Sequence, residues 1–99
     1  QIKIVSSLEE FIAKSDEKTK KLFYKQKEMM EKYPNYPSLG RTKLINVFDK
    51  YSNNLWEVRL DRTRRIVFAE VGCVIIWLKV CHHDEIDRNN VIHIKDSYG

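Results

Sequence analysis

Residues 79–88 read KVCHHDEIDR: a cysteine, two adjacent histidines and then two adjacent acidic residues, Asp84 and Glu85, with a third at Asp87, directly after the most apolar run of the chain, VIIWL at 74–78. These residue types could hold a metal ion, move protons, or supply a thiolate nucleophile. The apolar run predicts a buried strand, and that decides among the three. Neighbouring strand residues point to opposite faces. Cys81, His82, His83 and Asp84 therefore cannot all close on one ion without a sharp kink. Zinc spacings such as C-x-x-C or H-x-x-x-H are also missing. His93 could join them, but with this spacing the expectation is no metal and no cofactor. Cys81 has a histidine neighbour but no recognisable nucleophile context. Proton transfer remains, because imidazole titrates near neutral pH.

Counting strand parity shows which groups would share a face. Trp56, Val58, Leu60, Ile66, Phe68, Ile76, Leu78 and Val80 hold even positions, and His82 joins them. That set is almost wholly apolar and should face the helices. Glu57, Arg59, Asp61, Arg65, Lys79, Cys81 and His83 hold odd positions and would share the opposite, open face, provided no bulge shifts the count. Two arginines, a lysine and a histidine on one sheet face suggest an anion site: guanidinium suits phosphate geometry, and imidazole suits proton transfer. The plainer alternative is a solvated face with cross-strand ion pairs. Parity prefers His83 over His82 as the proton-transfer group. Asp84 and Glu85 would cap the next segment or orient a histidine.

These residues need a scaffold. QIKIV predicts a first strand. SLEEF carries a capping-box pattern, Ser7 with Glu10, ahead of a stripe of Leu8, Phe11 and Ile12. SDEKT marks a second helix start. A helix from about 18 to 33 then places Leu22, Phe23, Met30 and Tyr33 on one side. Lys20, Lys21, Lys25, Lys27 and Lys32 crowd the rest, as a solvated face or a phosphate-contacting one. YPNYPSLG stops that helix, since proline disfavours helix at the preceding residue. RTKLINV starts a strand and DKYSNN a turn. LWEVRLD, RRIVFAEV and CVIIWLKVC follow as three strands, with Gly72 at the last hairpin. NNVIHIKDSYG is ambiguous, an edge strand after a turn or helical piece. The order predicts an α+β domain in which the N-terminal strand and helical hairpin pack on one face of an antiparallel meander.

Ninety-nine residues make one domain, and 42% hydrophobic residues suffice for a modest core. No apolar run approaches the roughly 18 residues a membrane span needs. The opening QIKIVSSLEE turns acidic too early for a signal peptide. It also lacks a methionine, as expected of a chain trimmed or cut from a longer one. Cys73 and Cys81 lie eight residues apart on one strand, too far for a disulfide. Free, mostly buried thiols suit a reducing cytoplasm. The net charge of +4 favours an anionic partner, nucleic acid or an acidic protein.

PSLGRTKL, then NLWEVRLDRTRRIVFAEV, then VIIWLKVCHHDEIDR resembles the RelE/ParE toxin superfamily, in particular RelE-like members whose last strand ends in HHDE. The likeness runs from about Phe11 to Arg88 in matching order. It implies a RelE-like fold, an mRNA interferase that acts on mRNA in the ribosome, and inhibition of translation. It also implies a cognate acidic antitoxin, with neither metal nor membrane involved. Cleavage would proceed by attack of a 2′-hydroxyl on the adjacent phosphate. On this resemblance Arg59, Arg65 and His83 or His82 carry catalysis. Arg41 and Lys43 grip the RNA backbone, while Lys79, from the odd-parity face rather than the resemblance, is a secondary candidate for phosphate binding. The sequence departs from the pattern in three places. Thr42 and Lys43 stand where some members have a catalytic carboxylate, Arg88 stands near a tyrosine position, and Arg64–Arg65 replaces a Tyr–Arg pair. Two other functions stay open: a non-catalytic RNA- or protein-binding module of a larger protein such as a helicase, and a ParE-like gyrase inhibitor.

Overall fold

The computed structural model describes residues 1–49, 51–85 and 92–94. Strand β1 (Ile2–Ile4) leads into helices α1 (Ser6–Ala13) and α2 (Glu17–Lys32). A 3₁₀ turn at Pro37–Leu39 precedes strands β2 (Thr42–Asp49), β3 (Asn54–Arg59), β4 (Arg64–Val71) and β5 (Val74–His82). A second 3₁₀ turn, His83–Glu85, follows β5, and a short β6 (Ile92–Ile94) closes the order. The architecture is α+β, as expected. The sheet is mixed, however, with the order β1-β5-β4-β3-β2-β6. The four central strands pair antiparallel, while β1 runs parallel to β5 and β6 parallel to β2. The ambiguous tail thus supplies an edge strand. Arg88 and the side chain of His93 lie outside the described residues.

Local chemistry sets the element ends. Asp16 caps α2 by accepting a 2.7 Å hydrogen bond from the Thr19 backbone N–H. Hydrogen bonding to Thr19 holds its carboxyl below the usual range. The capping box at Ser7 does not form: Val5 is the N-cap of α1, without a side-chain cap, and Ser7 lies inside the helix. Asp49 organises the β2–β3 turn, its carboxylate accepting from the backbone N–H groups of Tyr51 and Asn53, each at 2.8 Å. Gly72 takes φ +60° at the first of the two residues between β4 and β5, as a type II′ hairpin requires. Lys20, Lys27 and Lys32 pair with Glu17, Glu31 and Glu28 along α2, which gives part of the lysine face an intrahelical role.

The even face of the sheet meets α2. The Phe23 ring packs edge-on to Trp77 at 5.2 Å, and Arg64 reaches the Thr19 hydroxyl. Phe68 and Leu78 are both buried. Tyr33 and Phe11, counted among the apolar stripes, are exposed instead.

Two features change the parity count. Val67 pairs with Lys79, but Phe68 pairs with Trp77, so Leu78 is an extra residue in β5. Beyond that bulge Trp77, not Ile76, shares the even row. The odd face is also less open than expected: Leu55, Glu57, Val67, Ala69 and Cys81 are buried. The reason lies in β4, where Ile66, Val67, Phe68 and Ala69 are consecutive apolar residues at 0% exposure. An unbroken apolar run marks a strand covered on both faces. No helix among the described residues is long and apolar enough to cross a membrane.

Candidate functional site

Arg59 and Arg65 are direct partners across β3 and β4, and Cys81 is the β5 partner of Arg65. The hairpin register therefore lays two guanidinium side chains along one rung. Arg59 is exposed, and its side chain passes Gly40, about 3.9 Å from where a β-carbon there would lie. Gly40 has φ +62° and ends the first 3₁₀ turn, a conformation other residues rarely adopt. Arg65 is held more tightly. Its Nη1 donates to the carbonyls of Asp61 at 3.0 Å and Arg64 at 3.1 Å. Its Nε lies 3.7 Å from the carboxylate of buried Glu57.

The β3–β4 connection that fixes this rung is built on Asp61. Its Oδ1 accepts from the backbone N–H groups of Thr63 and Arg64, and its Oδ2 takes a two-pronged contact from the Arg64 guanidinium at 2.9 and 2.7 Å. Burial pushes the Asp61 carboxyl up, but these hydrogen bonds outweigh it and hold the group below its ordinary range. Arg64 then continues to Thr19 at 3.0 Å, tying the turn to the start of α2.

The histidines lie at the same end of the sheet. β5 stops at His82 because three contacts curl the chain. The His83 N–H donates to the Thr63 carbonyl at 2.8 Å. The His82 N–H donates to the Glu85 carboxylate at 3.0 Å, and the Asp84 N–H donates to His82 Nδ1 at 3.2 Å. As a result the two imidazoles stack, 4.7 Å apart and 24° from parallel. Asp84 reaches both: its Oδ1 is 3.0 Å from His83 Nδ1 and its Oδ2 is 3.4 Å from His82 Nδ1. A carboxylate on Nδ1 fixes a proton there and leaves Nε2 as the basic atom. His83 and Asp84 can act as such a pair, while His82 Nδ1 is already an acceptor. The turn is the sharp kink that strand alternation would require, and it gathers three of the four candidate ligands while leaving Cys81 out. The turn brings ligand atoms of His82, His83 and Asp84 within 4.8 Å of one another, a set able to meet one cation at the surface.

Cys81 lies beside this turn, yet burial, with Glu85 and Glu57 adding to it, pushes its thiol up to about 11. It stays protonated at neutral pH and is a poor nucleophile. Cys73 is free and exposed, against the expectation that both thiols are mostly buried. Lys79 is exposed on the odd row beside Val67 and Glu57.

Arg41 and Lys43 stand apart from the rung. Lys43 is exposed and partners Trp56 across β2 and β3. The Arg41 guanidinium carbon sits over Trp56 and Phe68, 5.1 and 5.4 Å from the two ring centres, and the group donates to Glu70 at 2.7 Å. Glu57, Asp61 and Arg64 were not singled out as site residues from the sequence. The Asp61–Arg64 spacing across a turn is a sequence signal that could have pointed to that pair, and none marks Glu57. No family model matches the chain, and neither a curated protein nor a solved structure was found to match it.

Proposed function

We propose that this domain is a RelE-like ribonuclease of the cytoplasm that cuts mRNA on the ribosome and is restrained by an acidic antitoxin. The observation that carries the reading is the arginine rung beside the histidine turn. Like charges directly opposite in a sheet repel, so an anion bridging Arg59 and Arg65 relieves a cost already built into the fold. A scissile phosphate is such an anion, and guanidinium donors match its oxygens. In the reaction the 2′-oxygen forms a bond to phosphorus as the bond to the 5′-oxygen breaks. One proton leaves the 2′-hydroxyl and one must reach the departing oxygen. His83, oriented by Asp84, supplies one of these transfers, and Arg59 and Arg65 balance the charge that builds on phosphorus.

Inducible expression in bacteria with mapping of transcript 5′ ends tests this. Growth arrest with cuts inside translated codons is expected. His83→Ala should lower cleavage by about 10²–10⁴-fold. Full activity in a folded Arg59→Ala/His83→Ala variant would refute the mechanism. One observation favours a second reading, a non-catalytic binding module: Arg65 and Arg41 already hold internal carboxylates, Glu57 and Glu70. Ribosome-bound mRNA left intact by the unmodified protein would select it.

A further inference from the structure

We infer that the hollow between the first 3₁₀ turn and the start of β2 is a nucleobase-binding pocket for single-stranded RNA. The hollow has a volume of about 420 Å³ and is lined by Asn35, Tyr36, Pro37, Arg41, Thr42 and Trp56, with Gly40 at its wall. That volume lies within the usual range for small-ligand sites, about 300–1,000 Å³.

Arg41 sets its chemistry. The guanidinium is laid over Trp56 and Phe68 and clamped by Glu70. The arginine side chain is only 17% accessible, so it is a fixed plane rather than a mobile charge. With its charge partly offset by Glu70, it suits stacking better than phosphate binding. Unpaired bases are taken up on aromatic rings and on arginine planes of this kind. Tyr36 supplies an aromatic ring that is 43% exposed. The Asn35 amide carries both donors and an acceptor, which a base edge can use. Phosphate attraction comes from outside the pocket. Arg59 passes Gly40 at its wall, and Lys43 is the cross-strand partner of Trp56. A strand whose phosphate meets Arg59 can thus place a neighbouring base in the hollow.

The choice of RNA rests on the proposed function, but the pocket can be tested without any cleavage. Fluorescence anisotropy of a labelled single-stranded hexaribonucleotide gives the affinity. Base–aromatic stacking is worth about 1–3 kcal/mol per base. Tyr36→Ala and Arg41→Lys should therefore each weaken binding by about 5- to 150-fold, and Tyr36→Phe should leave it unchanged. Arg41→Lys is the discriminating variant, since it keeps the charge and loses the plane. An abasic hexamer should bind the unmodified protein as weakly as RNA binds Tyr36→Ala. The inference is overturned if the hexamer does not bind, if the abasic hexamer binds equally well, or if folded Tyr36→Ala keeps full affinity. Intact hexamer binding with no cleavage of ribosome-bound mRNA would sink the nuclease reading and leave the pocket standing.

Discussion

Replacing Arg65 with alanine will destabilise the protein, whereas replacing Arg59 will not. The two residues face each other on one rung in different surroundings. Arg59 is exposed. The Arg65 side chain is 18% accessible, and one nitrogen donates to two carbonyls while another faces buried Glu57. A hydrogen bond made by a charged group contributes about 1.5–3 kcal/mol, and the two carbonyl contacts are counted once because the Arg64 carbonyl also accepts from the Leu60 N–H. Taking the cation away from a buried carboxylate adds to the loss. Arg65→Ala should therefore cost about 2–4 kcal/mol, and Arg59→Ala no more than about 0.5 kcal/mol. In urea, with a slope of about 2 kcal/mol/M, the first change moves the midpoint by roughly 1–2 M. Adding Glu57→Gln to Arg65→Ala should cost less than the sum of the two single changes, as coupled neighbours do. If Arg65→Ala and Arg59→Ala unfold at the same urea concentration with equal slopes, the buried-pair reasoning is wrong. The partial burial of Arg65 also corrects the parity expectation that this position lies on an open face.

Three further outcomes are expected. Phe68→Ala or Leu78→Ala should cost roughly 2–5 kcal/mol in the same denaturation assay, because both side chains are fully enclosed; a loss below about 1 kcal/mol would contradict the packing described. In native protein at pH 8 a thiol reagent should modify Cys73 at once and Cys81 only after unfolding, since the Cys81 thiol is pushed up to about 11; equal rates would refute its burial. Asp61 has a depressed carboxyl, so its stabilising contribution is complete above the ordinary value of about 3.9 and is lost as pH falls through the lower folded value. The stability gap between unmodified protein and Asp61→Asn should therefore be widest near pH 7 and shrink as pH falls below the ordinary carboxylate value of about 3.9; a gap that does not change with pH would count against the assigned hydrogen bonds.

The strands were legible where the pattern was strong. LWEVR alternates and VIIWL is unbroken, and both become central strands. That Arg59 and Arg65 share a face was legible too, because alternation puts both odd positions on one side; their direct pairing came only with the register of β3 and β4. The bulge at Leu78 was not, since one extra residue leaves no mark in an apolar run. The turn at His83 was hidden because it depends on a hydrogen bond to Thr63, twenty positions earlier in the chain. The clamp on Arg41 needs Glu70, 29 residues away, and a count along one strand cannot reveal that. Burial of Glu57 was unforeseen for the same reason: a carboxylate on an alternating strand reads as solvated until its cation is located.

The parallel seat of β1 against β5 has a consequence during synthesis. Ile2 takes Ile75 as its partner, 75 − 2 = 73 residues later in the chain. At about 5–20 residues per second, the ribosome needs roughly 4–15 s to make that stretch. Throughout that interval Ile2 and Ile4 have no strand to join. Loop-closure entropy also makes such distant pairings slow to form. The β1 segment therefore stays unpaired for seconds, a window in which a chaperone, or any protein able to lend a strand, can meet it first.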